Sequence, residues 1–99
     1  MARHDVHPLI GGRGLVLNVQ ADILDALNTR VVVPLLPIAQ APKPAKRLNP
    51  IFEIDGMKMV MATQFLSAIP LTALGERVEN LSLEHDAIVA ALDMVFQRF

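Results

Sequence analysis

The sequence predicts a mainly β fold with one C-terminal helix. Short apolar runs recur with a period of two residues, as half-buried strands do. Asp55-Gly56 sits between two such runs and supplies the backbone freedom of a tight hairpin turn. Only the stretch from Ala87 to Phe99 combines helical apolar spacing with no glycine or proline. The sum is five to seven short strands and one helix, in a single domain covering residues 1–99.

Taken in order, Pro8, Gly11, Gly12 and Gly14 mark a loop-rich start. A strand fits Asp5 to Ile10, with Pro8 placing it at a sheet edge. Leu15 to Gln20 reads as a strand: Leu15, Leu17 and Val19 share one face, Asn18 and Gln20 the other. Ala21 to Leu27 has some helical propensity, but so short a helix is marginal alone. Asp22, Asp25 and Asn28 favour turns there, so a long loop or bent strand end fits equally. Arg30 to Leu36 is a β-branched run read as a strand buried on both faces, with Pro34 expected at a bulge or strand end. Pro37 to Pro50 is a solvated excursion. The hairpin Ile51–Ile54 and Met57–Met61 follows, then a strand from Phe65 to Ile69 and another from Leu71 to Val78 broken at Gly75. Ser82 suits a helix N-cap, with Glu84 and Asp86 near the positive end of the helix dipole. Ile88, Ala91, Leu92, Val95 and Phe99 form one apolar stripe; Val89 and Phe96 form a second. A helix this apolar is expected to be covered on more than one side, by a second subunit among other surfaces.

Composition narrows the function classes. With 53% hydrophobic and 19% charged residues the chain is more apolar than a small monomer needs. A buried subunit interface would absorb the excess. Cysteine is absent, so disulfides and thiolate chemistry are excluded. The net charge of −1 favours a protein partner over a polyanion. No apolar run reaches membrane-span length and no signal-peptide core follows Met1, so a soluble cytoplasmic protein is expected.

Few residues suggest chemistry. His4 and His7 read as a surface tail, and His85 has no partner at zinc-site spacing; no metal and no cofactor are expected. Asp22 and Asp25 read as turn formers rather than paired catalytic acids. Met57, Met59 and Met61 read as core packing, with an adaptable binding face as the alternative. Lys43, Lys46 and Arg47 read as a solvated loop that could otherwise touch DNA or acidic side chains; Arg13 and Arg30 are weaker candidates of that kind. No phosphate loop, nucleotide fingerprint or Ser–His–Asp order is present, and no catalytic residue is expected.

Five blocks in order carry a resemblance. Leu15-Val16-Leu17-Asn18-Val19-Gln20-Ala21-Asp22-Ile23-Leu24-Asp25, Arg30-Val31-Val32-Val33-Pro34-Leu35, Pro50 to Gly56, Ala68-Ile69-Pro70-Leu71 and the closing Met94-Val95-Phe96 resemble segments of the CcdB family of toxins. The resemblance implies an SH3-like barrel of the CcdB/MazF type, homodimeric, and not an enzyme. It implies binding to the DNA gyrase A subunit, inhibition of that topoisomerase, and neutralisation by a CcdA-like antitoxin with a part in transcription regulation. DNA would be met only through the antitoxin or gyrase, and no membrane is involved. By the same resemblance the gyrase-binding residues are Ala21, Ile23, Leu24, Asp93, Phe96, Gln97, Arg98 and Phe99. The family's Trp-Gly-Ile ending is here Gln97-Arg98-Phe99, and a patch serine is Ala21. This departure motivates an alternative, a non-toxic relative that keeps antitoxin binding alone. A MazF-like endoribonuclease is the third reading; it would need an acid or base beside a cationic phosphate clamp.

Overall fold

The computed structural model describes residues 2–12 and 14–97. Seven strands run in chain order: β1 (Asp5–Pro8), β2 (Leu15–Asn18), β3 (Thr29–Pro37), β4 (Ile51–Ile54), β5 (Met57–Met61), β6 (Ser67–Pro70) and β7 (Glu79–Asn80), followed by helix α1 (His85–Gln97). They form one antiparallel sheet ordered β4-β5-β3-β2-β1-β7, with β6 added to β3. The sheet curls into a nearly closed barrel with one C-terminal helix, the fold class the sequence predicts.

The long strand β3 organises the barrel. One of its edges pairs with β2 throughout. The other pairs first with β6, at Thr29 to Val32, and then with β5, at Leu35 to Pro37. Pro34 therefore stands mid-strand, not at a bulge or strand end as expected. Its carbonyl faces the second edge, where it accepts from the Ala62 amide at 2.9 Å. Its missing N–H falls on that same edge, at the change of partner between β6 and β5, where no ladder bond is lost.

Alternation along β2 and β3 sends Leu17, Val33 and Leu35 into the main core with Val6, Phe52, Met59, Met61 and Ile88. Val16 and Val32 point to the opposite face, where Leu74 covers them in a second cluster. β3 is thus apolar on two sides, as the valine run suggested, and Val16 of β2 shares its second face. The polar face expected at Asn18 and Gln20 is also buried.

The hairpin turns at Asp55 (φ 51°) and Gly56 (φ 78°), the left-handed pair that its sequence predicts. Met59 and Met61 pack in the core, whereas Met57 is exposed.

Other expectations are corrected. Strand β1 is not an edge, because it lies between β2 and β7. Beside Pro8 the flanking chain is Gly75, whose amide donates to the Pro8 carbonyl at 2.7 Å and needs no N–H from the proline. A side chain at Gly75 would put its Cβ 2.9 Å from the Pro8 ring, so this crossing requires glycine. Leu71 to Val78 is not a strand: it is a 3-10 turn at Leu71–Ala73, a single bridge at Leu74 and an irregular strap over β1. The Phe65–Ile69 strand is split, with Thr63–Phe65 in a 3-10 turn and β6 beginning at Ser67. Ser82 does not cap the helix. A 3-10 turn, Ser82–Glu84, leads into α1, and Asn80 Oδ1 accepts the Ser82 amide at 2.9 Å.

His4 and His7 are no surface tail; they are 4% and 3% exposed. His4 packs edge-on against His85, with ring centroids 5.1 Å apart. His7 lies under the strap, its Nδ1 2.9 Å from the Gly75 carbonyl. Asp5 is held there too, accepting from the Asn80 amide at 2.7 Å and the Ala2 N–H at 2.8 Å, with Arg77 at 3.6 Å.

Candidate functional site

The loop between β2 and β3 is where expected contact residues come together. Leu24 N–H donates to the Ala21 carbonyl, Asp25 to Asp22 and Leu27 to Leu24, at 3.0 to 3.1 Å. These i to i+3 bonds wind residues 21–27 into a tight coil containing the 3-10 turn Asp22–Leu24. The segment is a loop, as one expected alternative had it, wound by a short 3-10 turn and not a bent strand end or two α-helical turns.

All side chains from Ala21 to Thr29 are exposed. Ile23 is 90% exposed, and Leu24 and Leu27 are about half exposed. Three aliphatic side chains on one short coil are a poor use of surface in water unless something covers them.

The coil is held from beneath by polar groups. Gln20, 7% exposed, accepts the Val31 amide on Oε1 and donates from Nε2 to the Leu24 carbonyl, both at 3.1 Å. Arg30, 4% exposed, donates from Nη1 to the carbonyls of Leu27 (2.7 Å) and Thr29 (2.8 Å), and from Nη2 to that of Asp25 (3.1 Å). The Asp25 carboxylate is 3.8 Å from the same guanidinium. Asp22 accepts the Arg3 amide at 2.8 Å, tying the coil to the N-terminal segment. Asp22 and Asp25 are thus structural, as the turn reading expected. Arg30 is not available to DNA or to acidic partners, because it is buried and its Nη1 and Nη2 donate to backbone carbonyls. The sequence reading missed Gln20 and Arg30 as supports. The available signal was a glutamine and an arginine flanking a turn that carries two aspartates and an asparagine between two apolar strands.

The second group stands on α1. Asp93, Phe96 and Gln97 share one face of its last two turns by their spacing, and all are exposed, Phe96 at 69%. Ile88 and Ala91, on the opposite side, are buried in the main core. Arg98 and Phe99, also expected contacts, lie outside the described residues, as does Arg13. Within one chain no hydrogen bond or ion pair among the described residues joins the coil to the helix face. The fold presents two separate exposed groups, aliphatic on the coil and Phe96 with Asp93 and Gln97 on the helix.

Neither of two surface clefts coincides with these groups. One, of about 500 Å³, is lined by Ala2, Asp5, His7, Gly75, Glu76 and Arg77. The other, of about 490 Å³, lies beside Lys46, Arg47 and Ile51 in the solvated loop, where Lys43, Lys46 and Arg47 are all exposed. Among the described residues, no helix is long and apolar enough to cross a membrane.

Comparison with known proteins gives a family and a fold. A family model described as CcdB protein matches residues 3–97. Among solved structures, the Mycobacterium tuberculosis toxin MazF-mt6 is similar with a TM-score of 0.76 and 15% identity, over 93% of this chain and 95% of that one. An endoribonuclease in complex with its cognate antitoxin, from a mycobacterial species, is similar with a TM-score of 0.76 and 16% identity, over 96% of this chain and 93% of that one. At these identities the structural likeness speaks for the shared barrel-and-helix fold.

Proposed function

Since the chain belongs to the CcdB family, we propose that it is the toxin of a toxin–antitoxin pair and acts by binding the DNA gyrase A subunit. It inhibits that topoisomerase through contact alone, catalyses no reaction itself, and is neutralised by a CcdA-like antitoxin. The observation that carries the reading is the clamped coil. Ile23 and Leu24 sit at the positions where the family resemblance places gyrase contacts, and both are open to a partner. Phe96, with Asp93 and Gln97, supplies a second apolar contact on the helix. Exposed aromatic and aliphatic anchors on rigid supports are what a protein-binding surface needs. Two-fold pairing of chains would cover further apolar surface and set two copies of each group on one particle.

The test is a supercoiling assay with purified gyrase and a parallel binding measurement with the A subunit. Inhibition and binding are expected, both lost in Ile23→Asp with folding unchanged. Full gyrase activity at saturating protein, together with no binding, would refute the reading.

The altered ending Gln97-Arg98-Phe99 favours a second reading, a relative that binds antitoxin without harming gyrase. Expression without antitoxin separates the two, since growth arrest excludes the second. Cleavage of single-stranded RNA by repurified protein would overturn both in favour of a ribonuclease.

A further inference from the structure

Resting on the gyrase reading, we infer that Gln20 and Arg30 are positioning residues: they touch no partner, yet set affinity by holding Ile23 and Leu24 in one conformation before binding.

The coil has no apolar anchor of its own. No side chain of its 3-10 turn is buried, so core packing does not fix its shape. What fixes it is its own i to i+3 bonds, the Asp22 link to Arg3, and two side chains rooted on the barrel. Gln20 lies two residues past the end of β2 and bonds to Val31 of β3 on one side and to the coil on the other. Arg30 stands within β3 itself and gathers three carbonyls spread over five residues.

The arginine makes the arrangement close to all-or-none. A buried guanidinium is costly unless its donors find acceptors, and with Nε left unpartnered Arg30 depends on the carbonyls that its Nη1 and Nη2 reach. Its one acid, Asp25, is half exposed and 3.8 Å away, so backbone carbonyls carry most of that duty. If the coil opens, the guanidinium loses its acceptors in a site that water reaches poorly. The closed coil and the buried arginine therefore stabilise each other. A partner then meets Ile23 and Leu24 already ordered, and the ordering cost is not charged to binding.

Three variants test this: Arg30→Met, which keeps the stem and removes every donor; Arg30→Lys, which keeps the charge but not the fork; and Gln20→Met. Each is followed by amide exchange at Leu24, Asp25 and Leu27, by thermal midpoint, and by calorimetric titration with gyrase A subunit well below that midpoint. If the loosened coil is competent a tenth of the time, affinity falls about tenfold. Arg30→Met is expected to show that loss, with faster exchange confined to the coil and a less favourable binding entropy; Arg30→Lys should fall between. A merely structural role would lower the midpoint and leave the affinity of the folded fraction unchanged. Unaltered coil exchange, or fast exchange with wild-type affinity, would overturn the inference. Should Arg30→Met not fold, Gln20→Met carries the same two outcomes. If wild-type protein fails to bind gyrase A, the gyrase reading falls and takes the affinity claim with it, whereas tight wild-type binding unmoved by coil loosening sinks the positioning claim alone.

Discussion

His4 adopts the left-handed backbone region (φ 72°), rare for a residue with a side chain, and its imidazole is buried. Its amide donates to Asn18 and its carbonyl accepts from Leu81, so it joins the end of β2 to the approach to the helix. Burial, then the neighbouring charges of Arg3 and His85, lower its pKa; Asp22 opposes them and does not prevail. The folded chain thus resists a proton that the unfolded chain accepts below the ordinary histidine value, about 6.5. Stability from this group is whole above that pH and is lost as pH falls through it toward the lower folded value. At Asp5 burial pushes the carboxyl up, but the Asn80 amide, the Ala2 N–H and Arg77 together hold it below the ordinary aspartate range. Its contribution is present above that range and disappears only in stronger acid. Urea unfolding at about pH 7.5 and 5.5, values spanning the ordinary histidine pKa, should therefore show stability falling in the wild type. The fall should be smaller in His4→Asn, whose side chain tolerates positive φ. Equal losses in both proteins would contradict this account. None of it was readable from the N-terminal sequence. His4 and His7 are buried by partners about 70 to 80 residues away, and no local pattern of residues records such a contact.

Helix α1 was legible because its signal is local: an uninterrupted stripe of apolar residues at helical spacing. The hairpin was legible for the same reason, since Asp55-Gly56 states its own turn. Burial of Ile88, with none of its surface exposed, ties the helix to the barrel. Ile88→Ala is expected to cost about 2–5 kcal/mol, the range for emptying a filled core site. Chemical denaturation would measure it, and a loss under about 1 kcal/mol would mean that the helix is held elsewhere. The strap from Leu71 to Val78 was misread because its apolar residues do not alternate across a ladder. They cover β1 and the second cluster instead, a role assigned only by distant strands. Arg30 shows the same limit in the site. The sequence placed Ile23 and Leu24 on a turn between strands, but which side chains would fasten that turn depended on how β2 and β3 pair.

The whole molecule carries more exposed apolar surface than one small barrel can use. Ile23, Leu83 at 98% exposure and Phe96 stand on three different elements. The expected outcome of sedimentation at decreasing concentration is a particle of two chains, dissociating only on strong dilution. A single-chain particle throughout would remove the subunit pairing from the proposal and leave the coil and helix to act from one chain.

So greasy a protein risks recruiting its own kind, and the row of residues at Pro34 bears on that risk. Where β6 ends and β5 has not begun, the edge of β3 is met by the Ala62 amide alone, on the Pro34 carbonyl. The imino acid there has no hydrogen to offer an intruder. The same ring that lets one strand serve two partners leaves no N–H at that point of the edge for a third.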